Sequence, residues 1–193
     1  MAIWLSHVDP KDKMAFIVSG GGATSMTDLQ FAAGVAENQT FAAGALTSLN
    51  SSGRIQAGLA AATSMPMLAI NGTTDYDVTH YKYGLRKDIG GGQGVVNALP
   101  LSGGYELCTT EYNEDDLTAY VKGSGVLTND TATLGFFKPA PADYKSVMVV
   151  GIVSTGIEAD NRKGINRARV RLGQKKLLRF WSHVELPRTE ASA

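Results

Sequence analysis

Four carboxylates, Glu111, Glu114, Asp115 and Asp116, crowd one short stretch of the chain. Paired carboxylates can pass a proton in acid–base work or hold a hard cation. The Asp-x-Asp-x-Asp-Gly spacing of a calcium loop is missing, so the run reads as a solvated turn between strands. Asp75 and Asp77 read the same way. Cys108, the single cysteine, lies between Leu107 and Thr109 in a strand-like run, and a buried thiol is expected there. One cysteine excludes an intrachain disulfide and a Cys-rich zinc site. His7, His80 and His183 are far apart and could meet only through folding. Gly20-Gly21-Gly22-Ala23-Thr24-Ser25 follows an apolar run, as a phosphate loop would, but no Gly-x4-Gly-Lys-Ser/Thr is present. Gly90–Gly94 fails as a dinucleotide fingerprint, because Val95 takes the last glycine position. Gly-x-Ser-x-Gly and His-Glu-x-x-His are both absent. The expectation is no catalytic residue, no cofactor and no metal.

One patterned feature remains. Arg167, Arg169 and Arg171 recur at period two, so on a strand they share one face while Ala168, Val170 and Leu172 share the other. Like charges on one face repel unless something acidic answers them. The whole chain is neutral, with 18 basic and 18 acidic residues, which argues against a general nucleic-acid coat. That balance conceals a split. Residues 1–161 carry nine Lys/Arg against sixteen Asp/Glu, and residues 162–193 carry nine Lys/Arg against two Glu. The two regions therefore differ in sign, −7 against +7. Such a division suits docking on an acidic protein surface, or head-to-tail contact between copies.

The elements that must position these residues read as β. The chain has 193 residues, enough for one large domain or two small ones. It holds 22 glycines and only 19% charged residues, a turn-rich composition. No apolar run reaches the roughly 18 residues a membrane helix needs, and no signal peptide is visible at the first methionine. Strands are expected at Met14–Val18, Arg54–Ala57, Pro66–Ile70, Tyr105–Tyr112, Thr118–Val121, Gly125–Thr128, Gly135–Lys138, Val147–Val153 and Leu177–Trp181. Thr27–Glu37 fits a short helix or a strand. Val147–Val153 is the most apolar run and should be a buried central strand. Glycine density places a linker at 90–104, between an N-terminal β domain with an extended arm (1–89) and a C-terminal β domain (105–193).

The two halves repeat. Gly44-Ala45-Leu46-Thr47 matches Gly125-Val126-Leu127-Thr128, and Gly53 falls opposite Gly135. Ser64–Ile70 then lies opposite Ser146–Ile152. The spacing of 81–82 residues is too long for a solenoid unit and right for a duplicated small β domain.

Tyr105-Glu106-Leu107-Cys108-Thr109-Thr110-Glu111-Tyr112, Gly123-Ser124-Gly125-Val126-Leu127-Thr128, Val150-Gly151-Ile152-Val153-Ser154 and Leu178-Arg179-Phe180-Trp181 follow one another in order. That order resembles the capsid decoration (cement) proteins of tailed bacteriophages, over about residues 104–184. The resemblance implies small β-barrel or β-tulip-like domains, no catalysis, and a virion structural protein on the outer surface of the capsid. Its partner would be the major capsid protein, with no direct nucleic acid and no membrane. Homo-oligomers are implied, trimers most often and dimers in other cases. The contact residues expected are Arg167, Arg169 and Arg171, with Trp4 and Leu5 of the N-terminal arm as anchors. Two other readings compete: a tail or head–tail connector component, and a carbohydrate-binding β domain with Asp115 or Asp116 inside a pocket.

Overall fold

The computed structural model describes residues 3–4, 15–20, 31–61, 64–70, 72–73, 95–101, 104–157 and 174–188. Twelve strands build it: β1 (Ile3–Trp4), β2 (Ala15–Gly20), β3 (Phe31–Gly34), β4 (Leu46–Leu49), β5 (Ile55–Ala57), β6 (Pro66–Ala69), β7 (Val95–Pro100), β8 (Tyr105–Thr109), β9 (Val126–Asn129), β10 (Phe137–Pro139), β11 (Val149–Gly156) and β12 (Leu178–Glu185). The fold is mostly β. Only two short 310 turns interrupt the described strands, at Leu117–Ala119 and Tyr144–Ser146.

Every named strand pair is antiparallel, and the strands form two sheets. The first runs β3-β7-β6-β4-β5, and the second runs β1-β2-β8-β12-β11-β9-β10. Without β1 and β2, the second order is β8-β12-β11-β9-β10. That is the first order, strand for strand. The five matched strands of each sheet also curl until the first and last of them touch. A parallel contact joins Val35, just past β3, to Ile55 of β5, and its counterpart joins Tyr112, past β8, to Phe137 of β10. Backbone bonds fix both closures: Ala36 N–H to Ile55 O at 2.8 Å, and Phe137 N–H to Glu111 O at 3.0 Å. Closing a sheet hides strand edges that would otherwise recruit other chains.

The repeat extends to side chains. Thr47 Oγ1 donates to Met67 O at 3.2 Å, and Thr128 Oγ1 donates to Met148 O at 2.7 Å. Both members of the second pair lie 81 residues after the first. The strand pairings Thr47–Ala57 and Thr128–Lys138 keep the same spacing. Each following turn starts with a residue whose side chain accepts an N–H two positions on: Asn50 from Ser52, and Asp130 from Ala132.

Two expectations need correction. The stretch 90–104 is not linker throughout, and the step from the first sheet to the second falls at its end, between Pro100 and Tyr105. Within that stretch β7 pairs with both β3 and β6, so it is an interior strand of the first sheet. In the other direction, β2 comes from the N-terminal arm and pairs with β8. Nor are the two halves separate bodies. The larger apolar core combines Leu46, Leu68 and Leu99 of the first sheet with Leu107, Phe137 and Phe180 of the second. A smaller core of Val35, Ile55, Met67, Ala69, Val96 and Ala98 belongs to the first sheet alone. Met67, Leu68 and Ala69 of β6 serve the two cores alternately, so the strand is buried on both faces. The second correction concerns Thr118–Val121, expected as strand. Asp116 accepts from Thr118 N–H at 3.0 Å and starts the 310 turn there instead. Within Thr27–Glu37, Phe31–Gly34 is strand β3, and residues 27–30 lie outside the described residues.

Glycine is required where the second sheet's core is tightest. A Cβ on Gly151 would lie 2.6 Å from Cδ2 of Phe180. The bare backbone lets that ring approach β11 closely and meet Phe137 at a centroid distance of 4.9 Å.

Candidate docking surface

On β12 the side chains alternate strictly. Leu178, Phe180 and Ser182 are buried, and Trp181 and His183 are exposed. Trp181 pairs in register with Glu106 of β8 and Ile152 of β11. It keeps 43% of its surface exposed. Beside it, Arg179 Nη2 meets Glu106 Oε2 at 2.8 Å, and Ser154 Oγ donates to Glu106 Oε1 at 2.7 Å. The carboxylate is nearly buried, so the guanidinium and the hydroxyl together offset the cost of burying its charge. A broad aromatic ring next to a neutralised ion pair is the kind of anchor protein interfaces use. The sequence pattern held the signal, because Trp181 falls on the same parity as Arg179 and His183. The expectation used that segment only as a closing strand.

Cys108 lies opposite Arg179 in the ladder and is fully buried. Burial is the main cause that pushes its thiol up to about 12, with Glu106 adding to the rise and Arg179 opposing it. A thiol held protonated is a poor nucleophile, in line with a buried structural role.

The acidic cluster is scattered over separate local tasks. Glu111 is buried and accepts from Thr110 Oγ1 at 3.1 Å. Glu114 is exposed and sits 3.7 Å from Lys175. Asp116 accepts from Thr118 Oγ1 at 2.6 Å, and that bond leads the set that holds its carboxyl below the usual range. Among the described residues, no group of three His, Cys, Asp or Glu is placed to hold a metal ion.

Lys175 and Lys176 are fixed at the entrance to β12. Lys175 Nζ donates to Tyr112 O at 2.8 Å and stands 4.1 Å from the centre of the Tyr112 ring. Tyr112 Oη returns a bond to Lys176 O at 3.1 Å. These contacts clamp the C-terminal base of the basic segment against the segment just past β8. Arg167, Arg169, Arg171 and Leu5 lie outside the described residues, as do Asp75, Asp77, His7 and His80. The backbone of Trp4 pairs with Phe16 in the β1–β2 ladder, at the outer edge of the second sheet.

An open groove of about 640 Å³ runs along the seam between the sheets. Leu59 and Ala61, after β5, form part of one wall, and Asn129, Pro139, Val147 and Pro187 contribute to the rest. Neither Asp115 nor Asp116 lines it. Asn129 Oδ1 is buried with no hydrogen-bond partner. Exposed apolar side chains stand close by in the chain: Tyr144 three residues before Val147, and Leu186 beside Pro187. Elsewhere on the seam the turn between β9 and β10 plugs into the first sheet. Leu46 N–H donates to Gly135 O at 2.7 Å there. Gly58 faces Leu134 and Asn129 across the same contact.

Comparison of the chain with protein-family models, with curated proteins and with solved structures returns no match.

Proposed function

We propose that this chain is a structural protein of a tailed-bacteriophage head. In this reading it binds the outer surface of the assembled shell and stabilises it by bridging copies of the major capsid protein, with no catalytic step. One observation carries the reading. The four segments that resemble the decoration proteins become β8, β9, β11 and β12, which are neighbours in one sheet in the order β8-β12-β11-β9. Segments separated by up to about seventy residues of chain thus form a single continuous surface, as a unit inherited together would.

The surface suits the task. Trp181 offers an apolar anchor, and the basic C-terminal stretch offers charge complementary to an acidic shell. Each contact can be weak, because many symmetric copies on one shell add avidity.

The test is co-sedimentation of the purified chain with assembled shells that lack it, at low and high salt. The expected result is saturable binding at a fixed ratio to the coat protein, weakened by salt. Arg171→Glu and Trp181→Ala should each lower occupancy, the first only at low salt. No binding at either salt would overturn the proposal and bring the tail or connector reading forward.

A further inference from the structure

We propose that Lys175 is a latch. It locks the closure of the second sheet from the entrance of β12, so that this closure and β12 open together, while the first sheet's closure opens on its own. The inference goes beyond the shell-binding reading and does not depend on it.

Each sheet closes through one bridging pair, Val35 with Ile55 and Tyr112 with Phe137. In each, a cation donates to a carbonyl at the bridge. Arg54 Nη1 donates to Val35 O at 3.3 Å, and Lys175 Nζ donates to Tyr112 O at 2.8 Å. The bonds match, but the donors come from different places. Arg54 directly precedes Ile55, so the first sheet's lock sits beside the bridge that it closes. Asn50 holds it there: its side-chain oxygen accepts from Arg54 N–H at 3.0 Å, and its own N–H donates to Arg54 O at 2.9 Å. The residue directly before Phe137 is Phe136, whose side chain has no donor.

The second sheet takes its donor from a distant part of the chain. Lys175 Nζ stands 4.1 Å from the centre of the Tyr112 ring and 5.2 Å from that of Phe136. Both rings attract the ammonium electrostatically. Phe136 thus contributes a seat where Arg54 contributes a donor. Tyr112 returns a bond, from Oη to Lys176 O at 3.1 Å. The two segments therefore hold each other twice, side chain to backbone in both directions. Lys175 is mostly buried, where a charge-assisted bond is stronger than at the surface. Glu114 lies 3.7 Å from Nζ but is exposed, so that pair adds little.

Leu177 and Leu178 follow at once and are fully buried, and Leu178 starts β12 in register with Thr109 of β8. Lifting the entrance of β12 therefore pulls the ammonium from its seat, and losing the seat frees the entrance. The first sheet's lock and bridge need only Val35, Arg54 and Ile55. Segments that share contacts in this way open as one cooperative unit. Because β12 also carries Trp181, the docking face and the second closure hang on one latch.

Native-state hydrogen exchange of the full chain in low urea reads this amide by amide. The second closure is reported by Phe137 N–H, bonded to Glu111 O, and by Asn113 N–H, bonded to Phe137 O. The first is reported by Ala36 N–H, bonded to Ile55 O. In the parent chain, Phe137, Asn113 and the ladder amides of 178–180 are expected to share one opening equilibrium and one urea dependence. Lys175→Met keeps most of the stem and removes the donor. It should speed exchange of both sets by about tenfold and leave Ala36 unchanged. Arg54→Met should do the reverse and speed Ala36 alone. Tyr112→Phe keeps the ring and removes the bond to Lys176 O, so it should speed both sets together by a smaller factor, and it decides the matter if Lys175→Met melts early. Parental rates at Phe137 and Asn113 in Lys175→Met would overturn the proposal. So would a change, in either variant, confined to the closure while the start of β12 keeps its parental rates. None of these outcomes bears on co-sedimentation, so the two proposals fall separately.

Discussion

The two sheets share a strand order and differ in filling. The first has a small interior of its own, built largely of alanine, valine and methionine, and it turns its leucines outward to the second sheet. The second packs Tyr112, Tyr120, Phe137 and Phe180 into the core that both share. One topology has therefore been completed in two ways. A repeat that buries little on its own face leans on its partner, and the partner supplies the aromatic volume. The lesson is that duplication conserved the hydrogen-bonding frame, including the Thr47 and Thr128 bonds, while the apolar contents diverged.

The sharpest way to break this comparison is a cavity in the shared core. Phe180→Ala should cost about 3–5 kcal/mol. Urea unfolding followed by far-UV circular dichroism and by tryptophan fluorescence should show one coincident transition, shifted together. Two transitions that move independently would mean that the sheets are separate units after all.

The next test concerns the equivalent threonines. Thr47→Val and Thr128→Val each remove a buried donor and leave the Met67 or Met148 carbonyl short of a partner. Each should cost about 1–3 kcal/mol, by nearly equal amounts. A large inequality in urea midpoints at constant slope would deny the equivalence.

The smallest effect separates the sheets by pH. Among the described residues, the groups whose titration is displaced, Cys108, Asp116, Tyr120 and Asp130, all follow β7 in the chain. Burial raises Cys108 to about 12 from an ordinary value of 9.0. The folded chain then holds a proton that the unfolded chain releases. The associated stability is complete below the unfolded value and is lost as pH rises toward the folded one. Stability should fall by up to about 1.4 kcal/mol per pH unit in that window. Cys108→Val should flatten the slope, measured by urea midpoints from pH 8 to pH 10. At the acid end Asp130 acts oppositely. Burial alone would raise its carboxyl, but the Asn113 amide and the Ala132 and Thr133 N–H groups outweigh that and hold it low.

Much of this architecture was legible in residue order. Val147–Val153 announced β11 by its unbroken apolar run, and Gly-x-Leu-Thr marked β4 and β9. The exception was β7. Val95-Val96-Asn97-Ala98-Leu99-Pro100 follows a glycine stretch, and Asn97 and Pro100 break its apolar run, so it reads as linker. Only tertiary context shows that it serves both cores, through Val96 and Ala98 on one side and Leu99 on the other. The Thr118–Val121 error came from β-branched content that Asp116 overrides by capping a tight turn. The groove was invisible because Leu59 and Val147 become neighbours only after folding. The three alternating arginines lie outside the described residues, so the surface that can be drawn centres on Trp181 instead.

The pairing of β2 with β8 has a consequence for synthesis. The ribosome makes residues 15–20 early, yet their partner, 105–109, emerges only after the whole first sheet. β12 arrives last and must enter between β8 and β11, in the middle of a sheet whose other strands already exist. Until translation passes residue 185, both flanking edges stay open to a neighbouring chain on the same messenger. A nascent chain of this topology is therefore most vulnerable just before β12 emerges, and holding it apart from its siblings at that moment should raise the yield of soluble protein.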